Sequence, residues 1–175
     1  SKVVVTLKSA DLTKRYDGTA LTNKNGGESE TPLEISGFAE GEGATYIFSG
    51  SQTVVGSSAN TFSYTLNEGT KAENYNITKT EGTLTVTNRD AKYQITVKAN
   101  SATATYDGEQ HSATGIETNE FTVEGNVYTV SGLATENPVK TNAGTYPNNI
   151  TGTAVVTDAN GNDVSDQFEV TTENG

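Results

Sequence analysis

Short runs in which apolar and polar residues alternate dominate this chain and predict β-strands. Near the N-terminus, Val3, Val5 and Leu7 share one parity, and mostly polar residues occupy the positions between them. A period of two is typical of a strand with one buried face. No window of roughly eleven or more residues has a period near 3.6. The pattern therefore predicts a mainly β fold with at most one short helix in each domain.

The apolar parity changes once along the first strand region. Leu7 is odd-numbered, whereas Leu12 and Tyr16 are even-numbered, so a bend or bulge is expected between them. The second half of the chain repeats this change before an alternating segment at 102–106, which also ends on a tyrosine, Tyr106. We expect both tyrosine rings to pack on the core.

An internal repeat predicts two domains. The segment Lys14–Thr19 (KRYDGT) returns ninety residues later as Ala104–Glu109 (ATYDGE). Asp-Gly is a turn dipeptide, because glycine tolerates positive φ and aspartate bonds its own backbone. We assign one domain to 1–88 and a second to 89–175. The short junction at 87–91 predicts domains arranged end to end with limited hinge freedom.

Further landmarks align the two domains. Tyr46–Gly50 (YIFSG) resembles Tyr128–Gly132 (YTVSG), and the stretch 121–130 predicts a hairpin that turns at Gly125-Asn126. The polar segment Asn23–Thr31 has no equivalent in the second domain and predicts a mobile loop.

The endings of the two domains also correspond. Tyr75–Gly82 aligns with Phe168–Gly175, but the next strand of the first domain, Thr83–Val86, has no counterpart after Gly175. We therefore expect the second domain to lack its last strand. An unpaired edge would result, which favours strand addition or self-association at the truncated C-terminus.

The charge of the chain excludes some partners. The net charge is −11, and the second domain contributes most of it. An acidic surface repels phosphate, so we predict neither nucleic-acid binding nor attachment to anionic lipid. No apolar run is long enough for membrane insertion. The chain contains no cysteine, which excludes disulfide bonds and thiolate metal sites.

Candidate chemistry is sparse. The loop 158–169 places oxygen-bearing residues at positions 1, 3, 5, 9 and 12 of an EF-hand-like pattern, but Asp163 occupies the position that needs glycine. A polar turn between strands is the competing interpretation. The lone histidine, His111, cannot build a zinc site and is interpreted as a solvated loop residue. We predict no catalytic, cofactor-binding or metal-binding residues, no cofactor and no enzymatic activity.

An internal Lys–Asn isopeptide bond is a further possibility. It would require Lys8 or Lys98 beside an asparagine and an acid in a dry core. Both lysines have outward parity, and Asn76 of the first domain is replaced by Glu169 in the second. The sequence therefore disfavours such a bond.

Taken together, the landmarks resemble the MBG/YDG repeats, the "mostly bacterial β-grasp" domains of large bacterial surface proteins. The first domain carries the resemblance through Tyr16-Asp17-Gly18-Thr19, Gly50–Thr53, Val55-Gly56-Ser57, Asn74–Thr78 and Glu81–Val86. The second carries it through Tyr106-Asp107-Gly108, Ala143–Tyr146 and Asp158–Val164. The resemblance implies two tandem β-grasp-like domains; an Ig-like β-sandwich is the alternative.

The resemblance also implies a role. Such repeats are extracellular modules of the bacterial cell surface, arranged in arrays with adjacent repeats of the same parent chain. The expected function is that of a stalk or spacer in an adhesin-like protein, which projects other domains from the cell. The alternative is a module that binds host glycan or protein through loop residues.

Overall fold

The computed structural model describes residues 1–24, 26, 32 and 34–175. Most of the loop predicted at Asn23–Thr31 thus lies outside the described residues. Asn23 itself is buried. The chain divides into two compact units, Ser1–Asn88 (unit 1) and Arg89–Gly175 (unit 2).

Unit 1 is built from short strands. They are β1 (Val3–Lys8), β2 (Leu12–Arg15), β3 (Glu34–Ser36), β4 (Ala44–Phe48), β5 (Gly56–Ala59), β6 (Phe62–Leu66), β7 (Tyr75–Thr80) and β8 (Thr83–Thr87). They form three small sheets in the orders β3-β1-β7, β2-β8-β5 and β4-β6. A single 3-10 turn, Ala72–Asn74, precedes β7.

Unit 2 has a related framework. Its strands are β9 (Tyr93–Lys98), β10 (His111–Ser112), β11 (Glu120–Val123), β12 (Asn126–Thr135), β13 (Val139–Lys140), β14 (Ile150–Thr157) and β15 (Phe168–Glu173). The sheets are β15-β9, β11-β12-β14 and β10-β13, and a 3-10 turn at Ser165–Gln167 precedes β15. The prediction of a mainly β fold with at most one short helix per unit is confirmed. The choice between a β-grasp and an Ig-like arrangement stays a prediction.

Each unit pairs its first strand in parallel with a late strand. β1 pairs with β7 from Val3↔Tyr75 to Lys8↔Thr80. β9 pairs with β15 in the same register, from Tyr93↔Phe168 to Lys98↔Glu173. The predicted match of Tyr75 with Phe168 is thus confirmed.

Aromatic rings and aliphatic side chains from these strands form the cores. In unit 1, Val5, Leu7, Phe62 and Tyr75 form a buried cluster. In unit 2, the ring of Phe168 packs against the ring of Tyr128 at a centroid distance of 4.7 Å. Alternation explains why these side chains are inside, since every second residue of a strand faces the same side.

The predicted bend after Leu7 is confirmed in unit 1. β1 ends at Lys8, and β2 begins at Leu12 on the opposite parity, with Ser9 and Ala10 buried between them. Tyr16 is buried as expected, at 1 % exposure.

The corresponding expectations fail in unit 2. Residues 102–106 form no strand, and Tyr106 is 66 % exposed. Alternation of apolar residues makes a strand possible, but a strand forms only where a neighbour supplies hydrogen bonds. In unit 1 that neighbour is β8, which pairs with β2.

One alignment of landmarks is also wrong. Phe48 of β4 lies opposite Phe62, whose counterpart is Ile150, because each lies two residues after an asparagine that donates its backbone N–H to the matched glycine, Gly82 or Gly175. The residue opposite Ile150 is Thr135, not Val130. The counterpart of Tyr46–Gly50 is therefore the end of β12, about five residues later than the sequence match suggested. A bulge between Ser131 and Leu133 separates the two stretches, because Gly132 has φ +81°.

The hairpin predicted at 121–130 is confirmed. β11 and β12 are antiparallel neighbours, with Val123 opposite Asn126. The two turn residues are Glu124 and Gly125, at φ +49° and +82°, rather than Gly125 and Asn126. Two successive residues with positive φ match the right-handed twist of a hairpin.

Candidate functional site

The aspartates of the two Tyr-Asp-Gly motifs accept hydrogen bonds from residues of their own turns. Asp17 Oδ1 accepts hydrogen bonds from Lys14 Nζ at 2.8 Å and from the Thr19 backbone N–H at 2.9 Å. Burial of Asp17 raises its pKa, but the hydrogen bonds from Lys14 and Thr19 outweigh this effect and lower the pKa below its ordinary value. These contacts assign the carboxylate to turn formation rather than to ligand binding.

The second motif is organised in the same way. Asp107 Oδ1 accepts a hydrogen bond from the Glu109 backbone N–H at 2.9 Å and lies 2.8 Å from His111 Nε2. These contacts, the backbone bond first, lower the pKa of Asp107. His111 begins β10 and contacts the turn, so its interpretation as a loop residue is wrong.

Two carboxylates of the oxygen-rich loop 158–169 also accept hydrogen bonds from within the loop. Asp158 Oδ1 accepts hydrogen bonds from the backbone N–H groups of Asn160 and Asn162, at 3.0 and 2.9 Å. Asp163 Oδ1 accepts from Ser165. Across the part of the chain that the structure describes, no three side chains of His, Cys, Asp or Glu come together as a metal ion would require.

The lysines considered for an isopeptide bond lie at the surface. Lys8 is exposed. Lys98 is half exposed and forms a surface ion pair with Glu173, with its Nζ 3.3 Å from the carboxylate. A dry site for bond formation is thus missing at both positions.

No helix of the described residues has the length and apolarity needed to cross a bilayer.

The most distinctive site lies beside a set of hydrogen bonds that both units share. We call this set the asparagine–glycine joint. In unit 1, the backbone N–H of Asn60 donates to Gly82 O at 2.7 Å, and Asn60 Nδ2 donates to Ala10 O at 3.0 Å. In unit 2, Asn148 makes the same two bonds, to Gly175 O at 2.8 Å and to Asn100 O at 3.1 Å. Both asparagines are buried. The predicted match of Gly82 with Gly175 is thus confirmed.

In unit 1, a strand fills the space beyond this joint. β8 follows Gly82 and lies between β2 and β5, parallel to β2 and antiparallel to β5. Its Leu84 and Val86 are 0 % and 1 % exposed. Burial of two such side chains contributes roughly 3–6 kcal/mol to folding.

In unit 2, the same space is an open groove of about 610 Å³. No strand among residues 89–175 takes the place of β8. The groove is lined by residues 101–104, 106, 111–113, 138, 140–148 and 175. Residues 102–105 and 144–147, most of which line the groove, are the counterparts of β2 and β5, and neither stretch forms a strand.

Few ionisable side chains line the groove. No aspartate or glutamate lines it, and its ionisable side chains are Lys140, His111 and two tyrosines. Lys140 Nζ lies 5.0 Å from the ring centroid of Tyr146, a cation–π contact that holds the lysine at the rim. Small side chains such as Ala102 and Ala104 leave the backbone accessible.

One signal for this site is present in the sequence. The missing counterpart of Thr83–Val86 pointed to an unpaired edge. It did not show that the segments on both sides of the gap, 102–105 and 144–147, would lose their strand structure together. Only the pairing of β8 with two neighbours at once explains that outcome.

Comparison with known proteins adds no relative. No family model matches the chain, and no curated protein or solved structure is significantly similar to it.

Proposed function

We propose that this chain is a structural spacer of a bacterial cell-surface, adhesin-like protein, which projects other domains from the cell and carries load along its length. The observation that supports this function is the parallel pairing of β1 with β7 and of β9 with β15. The surface location and the array of adjacent repeats rest on the MBG/YDG resemblance and belong to the same proposal.

Parallel pairing between an early and a late strand resists tension. In unit 1 the chain enters at β1 and leaves after β8, and β2 pairs in parallel with β8 as β1 does with β7. Tension on the two ends therefore pulls the paired strands past each other. All hydrogen bonds of the ladder are then loaded together in shear, whereas pulling at one end would break them one at a time.

Single-molecule force spectroscopy tests the spacer function. The chain has no cysteine, so handles can be attached at introduced cysteines. Lys2→Cys with Lys92→Cys places unit 1, together with the first four residues of unit 2, under shear. Lys2→Cys with Glu73→Cys is the matched control, because residue 73 lies just before β7, at the end of β7 that pairs with Val3. Pulling there opens the ladder from one end.

We expect the mean unfolding force of unit 1 to be about twofold or more higher in the shear geometry than in the control geometry. Equal forces in the two geometries would contradict a load-bearing role. The alternative function is binding of host glycan or protein through loop residues.

A further inference from the structure

We propose that unit 1 has a buried binding site for one water molecule on the side-chain oxygen of Asn60. Asn60 is 0 % exposed, and its Oδ1 accepts no hydrogen bond from any described residue. The ligand of such an oxygen is a small, neutral hydrogen-bond donor. The proposal concerns the interior of unit 1 and goes beyond the spacer function.

The orientation of the Asn60 amide is fixed by the bonds of its nitrogen. Nδ2 donates to Ala10 O at 3.0 Å and to Asn23 Oδ1 at 2.9 Å. A reversed amide would bring its oxygen to Ala10 O, and a carbonyl oxygen can only accept hydrogen bonds. The atom that needs a donor is therefore Oδ1 and not Nδ2.

The nearest donors are already bonded to other acceptors. Ser9, which is also buried, uses its one hydroxyl proton to donate to Asn60 O at 2.7 Å, and its Oγ accepts the Gly82 backbone N–H at 2.9 Å. The backbone N–H of Asn60 donates to Gly82 O at 2.7 Å. None of these three donors is available to Oδ1.

Unit 2 shows which kind of group this position requires. The matched asparagine, Asn148, is also buried, and its Oδ1 accepts the backbone N–H of Asn137 at 2.9 Å. Asn137 follows Thr135 by two residues, and Thr135 is the counterpart of Phe48 in β4. The residue of unit 1 that corresponds to Asn137 is therefore Gly50.

The N–H of Gly50 has a different acceptor. It donates to Thr61 O at 3.2 Å, an oxygen that also accepts the N–H of Ser49 at 2.9 Å. The backbone conformation differs as well, because Asn137 has φ +54° whereas Gly50 is not among the residues with positive φ. The donor that satisfies the asparagine of unit 2 is thus not supplied to Asn60.

Water fits the site better than an ion does. An unsatisfied buried acceptor loses its hydration without compensation, and internal waters typically bind such groups. The ligand of Asn60 Oδ1 must donate a proton, which a metal ion cannot do. Among the residues that the structure describes, no three acidic, histidine or cysteine side chains are arranged to hold a cation.

A crystal structure of the unmodified chain, at a resolution that shows ordered waters, tests the proposal directly. We expect a water at hydrogen-bonding distance from Asn60 Oδ1. Asn148 is the internal control, because its Oδ1 should keep the N–H of Asn137 as its donor. An Asn60 Oδ1 without water would overturn the proposal, and so would a Gly50 N–H that has turned to donate to it.

Relaxation dispersion of water oxygen-17 tests the same site in solution, because it counts long-lived internal waters. Asn60→Leu removes the acceptor and should lower the count by about one per chain. Asn67→Leu is the matched control, since Asn67 is exposed, and it should leave the count unchanged. An equal count in the wild-type chain and in Asn60→Leu would contradict the site.

The crystallographic experiment needs no variant, so it decides the question even if Asn60→Leu does not fold. Neither experiment measures the unfolding force of unit 1. The water site and the spacer function therefore fail separately.

Discussion

Single residues hold the joint between strands in each unit, and a glycine is required there. An ideal Cβ at Gly82 would lie 2.2 Å from the backbone oxygen of Ala10, and one at Gly175 would lie 2.1 Å from the oxygen of Asn100. The close approach places the glycine beside the buried asparagine that bonds it. Because the contacted atoms belong to the backbone, the contact cannot relax by rotation of a side chain.

Gly82→Ala should therefore destabilise unit 1 by about 2 kcal/mol or more, measured by urea unfolding. Gly43→Ala is the matched control. The nearest atom to a Cβ at Gly43 is Asn67 Nδ2 at 3.6 Å, an ordinary contact. It should change the free energy of unfolding by no more than about 0.5 kcal/mol. A similar loss in both variants would contradict the role of close packing at Gly82.

The raised pKa of Tyr93 predicts that the stability of unit 2 falls at alkaline pH. Burial raises its pKa to about 12, and the hydrogen bond that its hydroxyl donates to Glu124 Oε2 acts in the same direction. The unfolded chain has a tyrosine pKa near 10. The stabilisation from the neutral phenol is fully present below about pH 10 and is lost as the pH rises to about 12.

Tyr93→Phe should reduce the fall in the urea midpoint of unit 2 between about pH 10 and pH 12. Tyr106→Phe is the control, since it removes an exposed hydroxyl that makes no hydrogen bond to the described residues. The same fall in the wild-type chain and in Tyr93→Phe would show that Tyr93 does not cause it.

At the scale of elements, a single strand organises its surroundings. β8 lies between β2 and β5 and bonds both, so three strands exist together or not at all. The open counterpart in unit 2 shows the consequence, because the stretches 102–105 and 144–147 form no strand there. Strand structure is thus a property of the pairing and not of the segment.

Leu84→Ala should destabilise unit 1 by about 2–5 kcal/mol, because a fully buried side chain leaves a cavity under β8. It should also increase hydrogen exchange in β2 and β5. Thr83→Ala changes an exposed neighbour in the same strand and should have an effect within about 0.5 kcal/mol. Undisturbed exchange in β2 and β5 after Leu84→Ala would contradict the dependence of these strands on β8.

At the scale of the whole molecule, the two units share one sequence plan. Both have the early–late parallel pair and the asparagine–glycine joint. Unit 1 adds the β2-β8-β5 sheet, and unit 2 has the groove in its place. The difference should be visible in the dynamics of the backbone.

Hydrogen exchange of the intact chain should therefore separate equivalent segments. Amides in β2 and β8 should exchange much more slowly than those in 102–106, because only the former pair have ladder partners. Amides in β1 and β9 are the internal control, and both should be protected by their parallel partners. Equal exchange in β2 and in 102–106 would contradict the open groove.

The sequence by itself determined the mainly β character, the turns and the hairpin at 121–130. Alternation, Asp-Gly dipeptides and close-range hairpin pairing are all local, so they can be recognised in a window of a few residues. It also indicated where unit 2 lacks the counterpart of β8, because the repeat offers unit 1 as a reference.

Only the tertiary structure decided which strands pair and which tyrosine is buried. Tyr16 and Tyr106 have the same motif around them, yet they differ in exposure because β8, about seventy residues later in unit 1, has no counterpart in unit 2. The true counterpart of β4 was equally hidden, because the pairing of β12 with β14 sets it and not the local sequence. Pairing between distant segments determines register and burial, and neither can be recognised from the local alternation of apolar and polar residues.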